Sequence, residues 1–226
     1  MSYDDAPSVR THDLLEIDTK HFLANCDPAP MWVVQSLQRS KFVVVRRDVS
    51  TQHGIPVGVR GSERNQRWPA RCSAMLVKSV ISPSQLKSRI VLDPRIRSIP
   101  ALSALEILKK RWKELDYSWG PIGSIGFELA TGTQTAKSES DLDIVLYAPV
   151  RITADLAKSL CAQAADLTAT VDIRVEAPLC GFSLNEYARQ NPARMLLRTP
   201  SGIMLGIDPW DDEIQVAVLD QVMPMG

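Results

Sequence analysis

The chain lacks an excess of either charge, since 26 lysines and arginines balance 26 aspartates and glutamates across its 226 residues. A protein that binds DNA or RNA generally needs surplus positive charge to neutralise phosphates, so this balance argues against a nucleic-acid partner. Hydrophobic residues make up 45% and charged residues 23%, which is typical of a globular protein with its own core. Local basic clusters can still bind a small phosphorylated ligand.

The chain also has few residues for metal or disulfide chemistry. Its four cysteines (Cys26, Cys72, Cys161, Cys180) contain no CxxC pair, and no cysteine or histidine spacing suits zinc. Residues 1–10 are polar and acidic, without the apolar segment of a signal peptide. No run approaches the ~20 apolar residues that a membrane helix needs. We therefore expect reduced thiols, no membrane partner and a cytoplasmic location.

The pattern of the sequence changes near residue 98. Before it, the segments 41–47 and 54–61 are rich in β-branched residues or bounded by glycines, which favours strands. After it, apolar residues in 101–115 recur at helical spacing. We predict a smaller β-rich N-terminal domain over 1–98 and a second domain over 99–226.

The second domain shows alternating strands and helices. The run 142–147 (LDIVLY) predicts a buried strand, Thr153 a helix start, and 170–176 (TVDIRVE) a strand with Asp172, Arg174 and Glu176 on one face. Strand, helix and strand in this order are typical of an α/β layer. The predicted fold class is therefore α/β (α+β).

Asp141 and Asp143 stand two residues apart at the start of the predicted strand 142–147. Residues with this spacing point to the same side of a strand, roughly 7 Å apart, so both carboxylates can reach one site. Asp-x-Asp supplies bridging oxygens for two hard cations such as Mg²⁺, about 3.5–4 Å apart. Asp172 would add a third ligand and a candidate general base, and the sequence does not separate these two roles. We predict that all three aspartates are catalytic and bind metal.

Gly123 and Ser124 precede Asp141 by a long interval and follow the apolar pair Pro121-Ile122. Glycine lets the backbone approach a phosphate, and serine adds hydroxyl and amide donors. A Gly-Ser pair alone occurs in many turns, and an Asp-x-Asp alone is usually a solvated strand end. Together with a later carboxylate between apolar residues, they favour phosphoryl or nucleotidyl transfer.

This combination resembles the polymerase-β-like nucleotidyltransferase superfamily, whose motif is Gly-Ser, then Asp-x-Asp, then a later strand carboxylate. The resemblance implies a nucleotidyltransferase-like C-terminal domain in which Gly123 and Ser124 hold a triphosphate. A narrower resemblance is to the phosphoribosyl-dephospho-CoA transferases of malonate decarboxylase, also called holo-acyl-carrier-protein synthases. The segments that carry it are 119–132 (WGPIGSIGFELATG) with 140–143 (SDLD), 11–15 (THDLL), 57–61 (VGVRG) with Gln66-Arg67, and 208–210 (DPW).

That family resemblance implies a specific donor and partner. The donor would be 2′-(5″-triphosphoribosyl)-3′-dephospho-CoA, and the partner the acyl-carrier subunit of malonate decarboxylase. A serine hydroxyl of that subunit would attack the α-phosphorus and release pyrophosphate. Two alternatives stay open: a nucleotidyltransferase that moves AMP from ATP to a protein or small molecule, and a non-catalytic scaffold that binds the carrier protein. The intact aspartates argue against the scaffold.

Two basic clusters and two single residues have more than one interpretation. Arg60, Arg64, Arg67 and Arg71 contact donor phosphates or belong to a solvated loop; Arg60 and Arg67, in family-like segments, are predicted to bind substrate. The basic side of the predicted helix 101–115 is a solvated face or, less commonly, a docking surface for an acidic carrier protein. Glu128 supports the structure or orients a ligand, and a structural hydrogen bond is expected for His12.

Overall fold

The computed structural model describes residues 8–48, 54–63, 65–89, 95, 98–189 and 194–211. These residues form a five-stranded sheet and a six-stranded sheet, with helices packed on both, which confirms the predicted α/β class. The elements in chain order are β1 (Leu14–Ile17), α1 (Thr19–Ala24), α2 (Met31–Arg39), β2 (Phe42–Val45), β3 (Ile55–Arg60), β4 (Arg67–Cys72), β5 (Val77–Ile81), α3 (Pro83–Leu86), α4 (Pro100–Arg111), β6 (Ser118–Pro121), α5 (Gly123–Thr131), β7 (Leu142–Tyr147), α6 (Ala154–Ala165), β8 (Val171–Glu176), β9 (Gly181–Ser183), α7 (Leu184–Ala188), β10 (Met195–Thr199) and β11 (Gly202–Gly206).

The N-terminal sheet has the order β4-β3-β2-β1-β5 and is antiparallel throughout. Because side chains alternate along a strand, the sheet has two different faces. Leu15, Val43 and Val57 lie in a buried cluster with the helices α1 and α2. Leu14 and Val44, on the opposite face, pack against α3 and α5. The sheet therefore has an outer helical layer and an inner face toward the rest of the chain.

The C-terminal sheet has the order β11-β10-β9-β8-β7-β6. Its strands β7 and β8 are parallel neighbours, connected by α6, whose first turn is capped by the Thr153 side chain as predicted. Ile144 and Ile173 point into the core beneath α4 and α6. Asp143 and Asp172 alternate with these residues and so lie on the opposite face of the sheet.

Helix α5 lies between the two sheets, and glycines allow its close approach. A Cβ on Gly126 would lie 2.5 Å from the Pro121 carbonyl oxygen, and one on Gly120 would lie 1.9 Å from the Pro83 carbonyl oxygen. Both α5 and α3 consequently pack directly against β6. The polar face of β7 and β8 is directed toward the inner face of the N-terminal sheet. There the Tyr147 hydroxyl donates a hydrogen bond to the Thr11 carbonyl at 2.7 Å.

The helix predicted over 101–115 ends at Arg111, because Trp112 leaves helical geometry while its N–H still bonds to Leu108. The domain boundary at 98/99 stays a prediction, since 90–97 apart from Arg95 lie outside the described residues. In the described part of the chain, no helix is long and apolar enough to cross a membrane.

Candidate active site between the two sheets

Two of the three predicted aspartates are direct neighbours in the sheet. Asp143 in β7 is in register with Asp172 in β8, and adjacent strands lie about 4.8 Å apart. Burial raises the pKa of Asp143, Arg174 opposes this rise, and the charge of Asp172 adds to it. Asp141 precedes β7 and is exposed, although its charge also raises the pKa of Asp143. The structure thus places Asp143 and Asp172 side by side and Asp141 at their edge.

Gly123 and Ser124 form the first turn of α5, directly against Asp143. The Ile122 N–H donates to the Asp143 carbonyl at 2.9 Å, which fixes the start of the helix beside β7. Gly123 has a φ of +63°, and a Cβ there would lie 2.0 Å from the Asp143 Oδ2 atom. Glycine is therefore needed both for the backbone conformation and for the space. The free N–H groups of this helix end favour an anion next to the carboxylates.

The long interval between Ser124 and Asp141 is filled by α5 and a loop that Glu128 holds. The buried Glu128 accepts hydrogen bonds from the N–H groups of Thr135 and Ala136, both at 2.7 Å. Arg95 donates to its other oxygen at 2.8 Å. The Thr135 hydroxyl donates to the Ser124 carbonyl at 2.8 Å. Glu128 therefore has the structural role, and it ties the loop to the Gly-Ser turn.

Arg60 and Arg67 lie opposite each other on β3 and β4. Val57 and Val59 face α1 and α2, so both arginines are on the inner face, toward the C-terminal sheet. Arg60 comes near enough to Asp143 to offset part of the rise in the pKa of that carboxyl.

The other two arginines of the cluster give no support for donor binding. Arg71 instead pairs with Asp48 at 3.2 Å, and Arg64 lies outside the described residues. The structure therefore brings one of the two predicted substrate-binding arginines, Arg60, into electrostatic range of the aspartates, with Arg67 next to it.

Sequence reasoning missed a charged group that borders the aspartates. Glu176 binds the His12 Nε2 atom at 3.0 Å and also pairs with Arg47, which joins the two sheets. Arg174, between Glu176 and Asp172 on the same face, approaches the Asp172 carboxylate at 3.6 Å. The alternation of Asp172, Arg174 and Glu176 along the predicted strand already showed that Glu176 shares a face with Asp172. Its partners His12 and Arg47 could not be found in this way, because they are distant in sequence.

The basic side of α4 lies away from this site. Lys109 pairs with Glu106 and Arg111 pairs with Asp166 of the α6 end, and α4 packs on the face opposite Asp143. A carrier protein docked there would be separated from the aspartates by the sheet. The solvated helix face, the more common explanation, agrees with this geometry.

The donor set can be compared with the needs of Mg²⁺. In the described part of the chain, no three histidine, cysteine, aspartate or glutamate side chains converge to hold a metal ion. Mg²⁺, however, is usually bound by one or two carboxylates together with substrate phosphates and water. Asp143 and Asp172 are side by side in the sheet, and the Asp143 carboxylate lies directly against the backbone of Gly123; two neighbouring carboxylates next to a helix start fit that mode.

Similarity to known proteins extends over nearly the whole chain. A family model described as Phosphoribosyl-dephospho-CoA transferase MdcG C-terminal domain matches residues 85–209, and the corresponding N-terminal domain model matches 10–83. A Klebsiella pneumoniae protein named phosphoribosyl-dephospho-CoA transferase is 35% identical over 206 residues, covering 90% of this chain and 97% of its own. Proteins with the same name from Pseudomonas syringae pv. tomato and Pseudomonas aeruginosa are 36% and 33% identical, covering 92% and 88% of this chain and 96% and 92% of their own.

No solved structure matches the chain significantly, so the polymerase-β-like superfamily assignment stays a prediction. The matches to both family models and to relatives over most of their length confirm the resemblance to phosphoribosyl-dephospho-CoA transferases, and with it a transferase activity. This chain, whose candidate site is formed around Gly123 and the neighbouring aspartates, belongs to the phosphoribosyl-dephospho-CoA transferase family.

Proposed function

We propose that this chain transfers the phosphoribosyl-dephospho-CoA group from 2′-(5″-triphosphoribosyl)-3′-dephospho-CoA to a serine of the acyl-carrier subunit of malonate decarboxylase. One observation carries the proposal: the first turn of α5 at Gly123 lies against Asp143, which is in register with Asp172. An anion-binding helix end beside two carboxylates suits a triphosphate that is bound together with a cation. Family membership supports the identity of the transferred group.

Each residue of the site has a proposed task. The N–H groups at Gly123 and Ser124 donate to triphosphate oxygens, and Arg60 adds positive charge from the N-terminal sheet. The carboxylates of Asp143 and Asp172, with Asp141, hold Mg²⁺, which neutralises triphosphate charge when it is bound. The rate gain then comes mainly from positioning and from charge stabilisation.

The bond changes follow from this arrangement. The serine oxygen of the carrier protein forms a bond to the α-phosphorus, and the bond from that phosphorus to the pyrophosphate oxygen breaks. The serine proton passes to a base, for which Asp172 is the candidate because its side chain is 42% exposed and open to an entering hydroxyl. Pyrophosphate leaves with the electron pair of the broken bond.

Mass spectrometry of the carrier protein tests the proposal. After incubation with enzyme, Mg²⁺ and the triphosphoribosyl donor, we expect the carrier serine to gain the phosphoribosyl-dephospho-CoA mass, and EDTA to prevent this gain. Asp143→Asn should abolish transfer without unfolding the chain. Asp155→Asn, an exposed aspartate of α6 on the other side of the sheet, is the matched control and should retain full activity.

Three results would contradict this proposal. Modification of the carrier protein with ATP alone would favour AMP transfer instead. Full activity of Asp143→Asn would exclude the metal-bound carboxylate mechanism, and an inactive wild type that still bound the carrier protein would favour a scaffold.

A cytoplasmic location is also proposed. All four cysteines lie in the described part of the chain and are free thiols, and a reducing compartment keeps thiols in that state.

A further inference from the structure

The strand β11, last in the order of the C-terminal sheet, exposes large apolar side chains. Ile203 and Leu205 are 69% and 61% exposed, and Ile207, directly after the strand, is 70% exposed. Met204, between the first two, packs on the core instead. Antiparallel strands with one face in the core usually carry polar residues on the other face. A row of exposed apolar residues in such a place marks an interaction surface.

Strand register places this surface on the same face of the sheet as the aspartates. Ile203 is in register with Arg198 of β10, and Arg198 with Gly181 of β9. Gly181 is in register with Glu176 of β8. Residues that are opposite each other on neighbouring strands share a face, and so do Glu176 and Asp172, which are four residues apart in β8. The apolar residues of β11 and the candidate site therefore lie on one continuous face.

The strand β10 adds positive charge to this face. Arg198 is exposed and lies opposite Ile203. Leu196, two residues earlier on the same face, lies opposite Leu205. In β8 the side chain of Arg174, on that face as well, is 37% exposed. Apolar residues bordered by arginines suit a partner surface that combines apolar and acidic side chains.

A folded partner on this surface also reaches the site. The strand β11 is three strands away from β8, which is about 14 Å at the usual strand spacing. A protein interface of standard size covers about 800 Å² on each partner, equal to a disc about 30 Å across. A protein that rests on β10 and β11 consequently extends over β8 and can bring a surface serine to Asp172.

We propose that the exposed face of β10 and β11 is the docking surface for the carrier subunit. Ile203 and Leu205 make apolar contacts with it, and Arg198 faces its acidic side chains. The proposal rests on the proposed function for the identity of the partner. It assigns the direction from which the acceptor serine approaches Asp172: from the β11 side of the sheet, and not from the basic side of α4.

Transfer kinetics with the apo carrier subunit as the varied substrate test the docking surface. We expect Leu205→Gln to raise the KM for the carrier on the order of tenfold. Its kcat and its KM for the donor should stay as in the wild type, because Leu205 is remote from the reacting groups. Arg198→Gln should raise the same KM and reduce its dependence on salt, because a charge that attracts the carrier is lost. Calorimetric titration of the apo carrier subunit without donor should show the same losses of affinity.

Two control variants make the same chemical changes elsewhere. Met31→Gln replaces an apolar residue that is 71% exposed at the start of α2, in the outer layer of the N-terminal sheet. Lys110→Gln removes an exposed charge from α4, the alternative docking surface. Both variants should bind the carrier subunit and modify it as the wild type does. Urea unfolding should show that Leu205→Gln is as stable as the wild type, since the side chain it replaces is exposed.

Three outcomes would overturn the docking surface. The first is a KM for the carrier that neither Leu205→Gln nor Arg198→Gln changes, and the second is a KM that Lys110→Gln raises as much as they do. The third is a wild-type dimer that Leu205→Gln dissociates, because the apolar face would then belong to a second copy of the chain. Absence of transfer, with Leu205-dependent binding of the carrier subunit intact, would instead contradict the proposed function and leave the docking surface standing.

Discussion

Replacement of Gly123 by alanine is the sharpest test of the geometry around Asp143. The new Cβ would lie 2.0 Å from the Asp143 Oδ2 atom, whereas real Cβ contacts stay beyond 3.0 Å. The carboxylate must therefore retreat by about 1 Å, and displacements of this size in a catalytic group cost on the order of 100-fold in rate. The positive φ of +63° adds about 1–2 kcal/mol of backbone strain for alanine.

Gly132, at the other end of α5, is a matched control. Its φ is +71°, but a Cβ there would meet nothing within 4 Å. Gly132→Ala should consequently carry the same backbone strain of about 1–2 kcal/mol without moving a carboxylate. The difference between the two variants isolates the contact with Asp143.

The assay combines urea unfolding with the rate of transfer to the carrier protein. We expect both variants to lose stability to a similar degree, Gly132→Ala to stay active and Gly123→Ala to lose about 100-fold in transfer rate. If Gly123→Ala transferred at the rate of Gly132→Ala, the position of the Asp143 carboxylate would not limit the reaction, and the argument from the Gly-Ser turn would fail.

Two further predictions concern the supports of the site. Glu128→Gln weakens the charge-assisted bonds to Thr135, Ala136 and Arg95, so we expect a loss of about 2 kcal/mol in urea unfolding and slower transfer, whereas the exposed Glu139→Gln should change neither. Burial, with Arg174 and Arg47, lowers the pKa of His12 from 6.5 to about 4. Between these values the unfolded chain binds a proton that the folded chain does not, so stability should fall by up to about 3 kcal/mol as the pH drops from 6.5 to 4. Urea unfolding across this range should show a smaller slope for His12→Gln, and an equal slope would contradict the lowered pKa.

The strands and helices with clear periodicity were predictable from sequence. The strand 142–147, the cap at Thr153 and the strand near 171–176 are confirmed, because apolar alternation and a local capping bond depend on neighbouring residues alone. The segment 31–34 (MWVV) suits a helix or a strand by its sequence alone, because short apolar runs fit both, and the structure makes it the start of the helix α2. The end of α4 was placed too late because an apolar stripe continues past the last helical hydrogen bond.

The candidate site was predictable in part. The motif at Gly123, Ser124, Asp141 and Asp143 is local, so sequence could identify it together with the family it resembles. The contacts of Glu128 with 135–136 explain the long spacing, but no pattern of residue types reveals such a loop clamp. Arg47 and Glu176 are 129 residues apart, and their pairing depends on how two sheets pack.

The sequence by itself indicated the family, through the resemblance of several short segments, and it predicted phosphoryl or nucleotidyl transfer, because a Gly-Ser turn and closely spaced aspartates are local features with their own chemistry. Only the tertiary structure decided which residues share the site. Parallel pairing set Asp143 beside Asp172, the absent Cβ of Gly123 let the end of α5 reach Asp143, and the packing of the two sheets brought Arg60 into electrostatic range of Asp143. Strand register and sheet packing are collective results of burying apolar faces on both sides of a sheet, and no single segment of the chain specifies them.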